Sequence, residues 1–194
     1  GHEWHVPGPA SQDGLTTAEV TAKQSADSRQ HVVDMLTAMQ KYPAQGGPEI
    51  MEMEKYWHPH FNWYGPSGIG SSRGIESFKS CHQTPFLDAM PDRGQYPNDV
   101  SLHIFAEGNY VAVTGWPNMA QTLSGQGWLG IAPTGQKITL RSLDFWRLEN
   151  GLIRENWVLV DLLDMWKQTG VDVIARMQQL TAASSHFPAQ NAQE

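Results

Sequence analysis

The sequence predicts an α+β fold: a curved antiparallel sheet wrapped around N-terminal helices, with an apolar pocket at one end. Apolar residues fall at helical spacing up to about Pro85. Runs rich in β-branched and aromatic residues follow over 100–160. Asn150-Gly151 joins the last two runs, and Asn-Gly between such segments is the strongest short hairpin signal. Helices first, then a meander, then terminal helices is an α+β order.

Residues 1–17 read as an irregular arm, 18–180 as a single domain and 181–194 as a frayed tail. In the arm, His2 and His5 belong to a mobile segment rather than a metal site. Over 18–40, Val32, Val33, Leu36 and Met39 share a helix face, and Pro43 breaks the helix. A turn at 45–48 leads to a short helix at 49–56, with Ile50, Met53 and Trp57 on one side. Trp57 to Tyr64 runs into a Gly-rich stretch, 65–70, read as a flexible lip of the cavity. Arg73-Gly74 opens a helix whose Ile75, Phe78 and His82 share a face until Pro85 stops or bends it. Met90-Pro91-Asp92-Arg93-Gly94 is a loop. Strands are expected at 100–106, 110–123 and around 128–131. After the hairpin, Asp161 caps a short helix that Gly170 ends, and 171–180 forms another.

The hairpin arms, 138–148 and 152–160, contain neither Pro nor Gly, which suits a central position. Two registers are open, because a one-residue slip turns every side chain over. A left-handed bulge at Gly151 is preferred. It places Leu140, Ser142, Asp144 and Trp146 on one face with Asn156, Val158 and Val160. Arg141, Leu143, Phe145, Ile153, Glu155, Trp157 and Leu159 take the other face. One face lines a cavity holding Asp144, and the other meets a second sheet or a subunit.

Composition narrows the partners. A net charge of -7 argues against nucleic acid and anionic membrane. No run approaches the ~20 apolar residues of a membrane-spanning helix. The single Cys81 excludes an internal disulfide and fits a cytoplasmic protein. No signal peptide is recognisable, although a chain opening on Gly1 leaves a removed leading segment open. Eight Trp in 194 residues are core or the walls of a site for a flat apolar ligand.

Pro133-Thr134-Gly135, Phe145-Trp146-Arg147, Glu149-Asn150-Gly151, Ile153, Asn156-Trp157, Asp161-Leu162-Leu163 and Gln168 with Gly170 form an ordered set. With Trp57-His58-Pro59 and Arg73-Gly74, it resembles the SnoaL-like polyketide cyclases of the nuclear transport factor 2-like superfamily, over about 26–177. The resemblance implies a cone-shaped α+β barrel with a deep apolar pocket, often a homodimer through the outer sheet face. In the cyclases it implies an intramolecular aldol ring closure without cofactor or metal. Those enzymes carry an acid/base carboxylate just after the hairpin Trp, where this chain has Val158. The facing family position, commonly His, is Asp144 here.

Asp144 is the leading catalytic candidate, since burial raises a carboxyl pKa toward the range useful for general acid/base work. Pairing with Arg141, Arg154 or an indole N–H is the structural alternative. His82 is the second candidate, either a pocket partner of Asp144 or a core histidine. Trp63, Tyr64, Phe86, Trp116, Trp128 and Trp146 are candidate ligand walls, with Asn156 and Val158 beside them. Tyr64 could donate to a ligand carbonyl. His58 and His60 lack further ligands at metal spacing. Ser67 lacks a nucleophile-elbow pattern, and the glycines at 68–74 lack dinucleotide spacing. Three functions remain: a cofactor-independent cyclase or isomerase acting on a hydrophobic carbonyl compound, a small-molecule-binding module that has lost catalysis at Val158, or a subunit whose open sheet face, with Leu143, Phe145, Trp157 and Leu159, serves a partner.

Overall fold

The computed structural model describes residues 20–41 and 48–185. The His2/His5 arm, the Pro43 helix break, the turn at 45–47 and the tail past 185 lie outside the described residues. Helix α1 (Ala22–Met39) starts where the Thr21 side chain accepts the Gln24 N–H at 3.1 Å. It buries Ser28, Val32, Met35 and Ala38. Leu36 and Met39 pack at the edge of that stripe, so the buried face is rotated from the expected one.

A 3-10 turn (Pro48–Met51) and α2 (Met53–Tyr56) feed β1 (Trp57–Tyr64), which turns back as β2 (Ser71–Arg73). Then α3 (Gly74–Phe78), a π turn (Lys79–Gln83) and α4 (Thr84–Ala89) follow without a break. Pro85 therefore does not end the helix. It enters just after a turn whose ladder has already slipped, with the Thr84 N–H bonded to the Lys79 carbonyl.

The meander is β3 (His103–Glu107), β4 (Tyr110–Thr122), β5 (Lys137–Glu149) and β6 (Leu152–Val160). Sheet order is β2-β1-β6-β5-β4-β3. The sheet is mixed rather than purely antiparallel, because β1 pairs β6 in parallel. Two helices and four strands separate that pair, so no hairpin dictates its direction. The strand expected near 128–131 is a tight turn, with one bridge between Trp128 and Ile131. Helix α5 (Leu162–Gln168) is capped by Asp161, whose carboxylate accepts the Asp164 N–H at 3.0 Å. Helix α6 (Val173–Ser185) runs past Leu180, where the sequence placed the tail. No described helix is long and apolar enough to cross a membrane.

Both hairpin registers occur in succession. Asn150 and Gly151 have φ of 52° and 78°, a two-residue turn, and Leu148 pairs with Ile153. Between Ile153 and Glu155 the ladder then slips, leaving Arg154 as the extra residue. Beyond it Trp146 faces Asn156, Asp144 faces Val158 and Ser142 faces Val160, the expected even-with-even pairing. The bulge thus lies in the strand and not at Gly151. Ile153, preceding it, turns into the core and not to the outer face.

Candidate active site

A cavity of about 380 Å³ lies between the concave sheet face, the end of α1, the α3–α4 segment and the loop 93–102. Trp57, Trp63, Phe78, Phe86 and Trp146 supply its aromatic walls. Exposed Gln40, Gly94, Pro97 and Leu102 line its outer end, so it opens between α1 and the loop.

Asp144 lines this cavity with Val158 opposite it. A polar relay supports it. Asn118 Nδ2 donates to Ser142 Oγ at 2.5 Å, and Ser142 Oγ donates to Asp144 Oδ2 at 3.0 Å. The Ser142 N–H closes the arrangement by donating to Asn118 Oδ1 at 2.9 Å. Asn118 reaches Ser142 because β4 is irregular between Gly115 and Met119. Burial pushes the Asp144 carboxyl up to about 6, against hydrogen bonds from Ser142 and Asn156 and the Arg93 charge. Asn156 also donates to the Phe145 carbonyl at 3.1 Å, which fixes its amide.

His82 stacks on Trp63, with ring centroids 4.4 Å apart and planes 16° apart. Burial, reinforced by the Arg93 charge, lowers its pKa to about 3, so the imidazole is neutral. Nδ1 has no hydrogen-bond partner among the described residues. No hydrogen bond joins His82 to Asp144. The two share a cavity without forming a direct couple.

The structure brings Asp144, His82, Trp63, Phe86, Trp146, Asn156 and Val158 together on the cavity wall. Three expected residues are elsewhere. Tyr64 lies on the outer sheet face, stacked on Trp157 at 5.6 Å and donating to Glu155 at 3.5 Å. Trp116 is 71% exposed, with the Arg141 guanidinium 5.1 Å from its ring. Trp128 is buried behind Phe86, 5.1 Å away edge-to-face, and does not reach the cavity. Strand parity separates Tyr64 from Trp63, and the β4 irregularity turns Trp116 outward. The Gly-rich run is no lip of the cavity. It closes the β1–β2 hairpin, where the Gly65 N–H donates to the Gly70 carbonyl at 3.0 Å.

Arg93, Asn118, Gln121 and Ser142 line the cavity without having been singled out for it. Ser142 lay on the expected inner face, which was the available signal. Arg93 sits in a loop, where no periodicity says which way a side chain points.

The two arginines weighed as partners of Asp144 are engaged elsewhere. Arg141 lies 3.7 Å from Asp161 and 3.5 Å from Asp164, and Arg154 Nη1 donates to the His60 carbonyl. Among the described residues no group of three or more His, Cys, Asp or Glu could hold a metal ion. His58 and His60 have ring centroids 5.9 Å apart, and the His60 N–H donates to His58 Nδ1.

A family model described as SnoaL-like polyketide cyclase matches residues 34–169. Among solved structures, a candidate SnoaL-like polyketide cyclase from Jannaschia sp. CCS1 superposes with a TM-score of 0.63 at 18% identity, covering 80% of this chain and 99% of its own. AclR from Streptomyces galilaeus, a candidate hydroxylase, gives 0.56 at 19%, covering 75% and 97%. IdmH from Streptomyces antibioticus, a candidate polyketide cyclase, gives 0.51 at 20%, covering 72% and 98%. At such identities these likenesses concern the fold. No curated protein matches the sequence significantly.

Proposed function

The chain belongs to the SnoaL-like polyketide cyclase family, and from that premise we propose that it is a cofactor-independent acid/base enzyme acting on a hydrophobic carbonyl compound, with an aldol-type ring closure as its reaction. The observation that carries this reading is Asp144, a carboxyl on the wall of an aromatic cavity, supported by Ser142 and pushed to about 6. Such a group exchanges protons near neutrality.

In this scheme the Asp144 carboxylate takes a proton from carbon flanked by carbonyls, leaving an enolate. That carbon bonds to a second carbonyl carbon of the same molecule, and the resulting alkoxide takes the proton back from Asp144. Atoms and charge balance without an added reactant. Trp63, Phe86 and Trp146 hold the flat substrate, and the neutral His82 hydrogen-bonds its oxygen. The test is Asp144→Asn against β-keto and polycyclic ketone substrates. A positioned acid/base group contributes on the order of 10²–10⁴-fold in rate, and a loss of that size is expected. Unchanged turnover of a bound substrate would remove Asp144 from the mechanism.

Val158 favours a second reading, a binding module without catalysis, since an alkyl group faces Asp144 on the cavity wall. Val158→Asp separates the two. Native binding without conversion, with conversion appearing in the variant, supports the binding module. Native turnover that depends on Asp144 excludes it.

The same reading includes a cytoplasmic homodimer formed through the outer sheet face. Phe105, Phe145 and Leu159 are 62%, 43% and 64% exposed there, which supports an apolar interface. Cys81 is a free, exposed thiol, which suits a reducing compartment and is checked by cell fractionation.

A further inference from the structure

We infer that Arg93 is an anion-docking point inside the cavity and that the ligand recognised there carries a carboxylate. This rests on the reading of the cavity as a small-molecule site and adds the substrate class. Arg93 lines the cavity, with its guanidinium carbon 5.2 Å from the centroid of the Phe86 ring, itself a wall residue. Among the described residues no carboxylate forms an ion pair with it within 4.0 Å. The two candidate counter-ions are engaged elsewhere. Asp92 accepts from the Tyr96 hydroxyl at 3.0 Å and from the Thr122 N–H at 2.7 Å. Asp144 accepts from Ser142. The Asp144 charge acts on this guanidinium only from beyond 4.0 Å, so on its apolar wall it lacks a contacting carboxylate, which an acidic ligand would supply.

The loop is already shaped for this. The Asp92 anchor ties it to β4, the Arg93 N–H donates to the Met90 carbonyl at 3.3 Å, and Met90 is fully buried. Little ordering of the arginine's backbone is then left for binding to cost. Its planar fork matches a carboxylate bidentately, which a lysine cannot do. Further along the cavity, Trp57 Nε1, Trp146 Nε1 and both amide atoms of buried Gln121 are without partners among the described residues. They suit the carbonyl and hydroxyl oxygens of an oxygenated acid.

The experiment uses matched probes that differ only in charge: 2-naphthoic acid and its methyl ester, titrated by quenching of tryptophan fluorescence. The native chain is expected to bind the acid at least ~10-fold more tightly than the ester, a modest value for a charge-assisted bidentate contact. Arg93→Met should bring the two affinities together, while Arg93→Lys keeps part of the preference. Far-ultraviolet dichroism confirms that the variants are folded, and the lysine variant stands in if the methionine variant is not. Equal binding by the native chain, or a preference that survives Arg93→Met, overturns the proposal while leaving the cavity as a neutral-ligand site. Binding of neither probe counts against the small-molecule reading as well.

Discussion

Asp144 and Val158 stand directly opposite each other on β5 and β6, an acid facing an alkyl group across the cavity wall. The valine adds no charge and little polarity, so desolvation dominates the Asp144 environment. Val158→Asp would place a second carboxylate at cross-strand distance. Two like charges sharing such a site do not ionise independently, and one pKa rises. The variant should lose on the order of 1 kcal/mol at pH 8 and recover much of it at pH 5, where a proton is shared. Urea denaturation at the two pH values measures it, and a pH-independent loss would assign the effect to packing.

A stability trade-off at Asp144 follows from the same desolvation. Its folded pKa is raised from 3.8 to about 6. The folded state therefore holds this proton more tightly than the unfolded chain does. The corresponding stability is fully present below pH 3.8 and is lost as pH rises through about 6. At pH 8 the ionised carboxylate costs up to about 3 kcal/mol. Asp144→Asn should accordingly raise the melting temperature at pH 8, with the gain over the native chain shrinking toward pH 4. A variant destabilised equally at both pH values would show that hydrogen bonding from Ser142, not burial, decides the energetics.

The hairpin shows what a sequence can and cannot disclose. Asn150-Gly151 marked the turn, and alternation put Asp144, Trp146 and Asn156 on one face, as the structure has them. The expected bulge lies at Arg154 and not at Gly151, and Arg154 carries no bulge signature. A glycine was the expected device, yet the slip is accommodated where Arg154 can reach the His60 carbonyl on β1. Tyr64 and Trp116 were misplaced because aromatic identity says nothing of strand parity or of an irregularity at Gly115. Arg93 was invisible for a third reason. A loop residue's direction is set by tertiary anchors, here Asp92 on the Thr122 N–H.

Catalysis should titrate with one acidic limb. If the Asp144 carboxylate is the base, kcat/KM rises with pH through about 6, the value to which burial pushes this group. His82, lowered to about 3, stays neutral over that range and contributes no limb of its own. His82→Asn should therefore slow the reaction without moving the midpoint. A midpoint that shifts or vanishes in His82→Asn, while surviving in Asp144→Asn, would exchange their assigned roles. Histidine proton resonances of the native chain give the independent check, since His82 should not titrate between pH 5 and 8.

Beneath the outer face, Arg147 and Glu155 form a buried pair, Nε to Oε2 at 2.5 Å. Arg147 also lies 3.1 Å from Glu149. Removing one partner leaves a buried charge poorly compensated, which typically costs about 3–5 kcal/mol. Glu155→Ala should lose that much in denaturant titrations, while Glu155→Gln, which keeps an acceptor, loses less. Equal losses would mean that side-chain shape, rather than charge, holds this position.

The outer face carries a row of side chains crossing five strands. Phe105 pairs with Ala112, Ala112 with Phe145, Phe145 with Trp157 and Trp157 with Tyr64. All five point away from the cavity, by strand parity, and Phe105 and Phe145 are exposed. A flat aromatic row of this kind is costly to leave in water and is self-complementary under a two-fold axis. The native chain should sediment as a dimer at micromolar concentration. Phe145→Lys, which places two like charges near the axis, should give monomers. Asp144 and Trp146 face the other side of the same strand, so ligand affinity should stay within about threefold of native. A native chain that sediments as a monomer, or a Phe145→Lys dimer, removes this face from any assembly. A monomeric variant that also loses ligand binding would instead show that the sheet's curvature, and the cavity with it, depends on the partner.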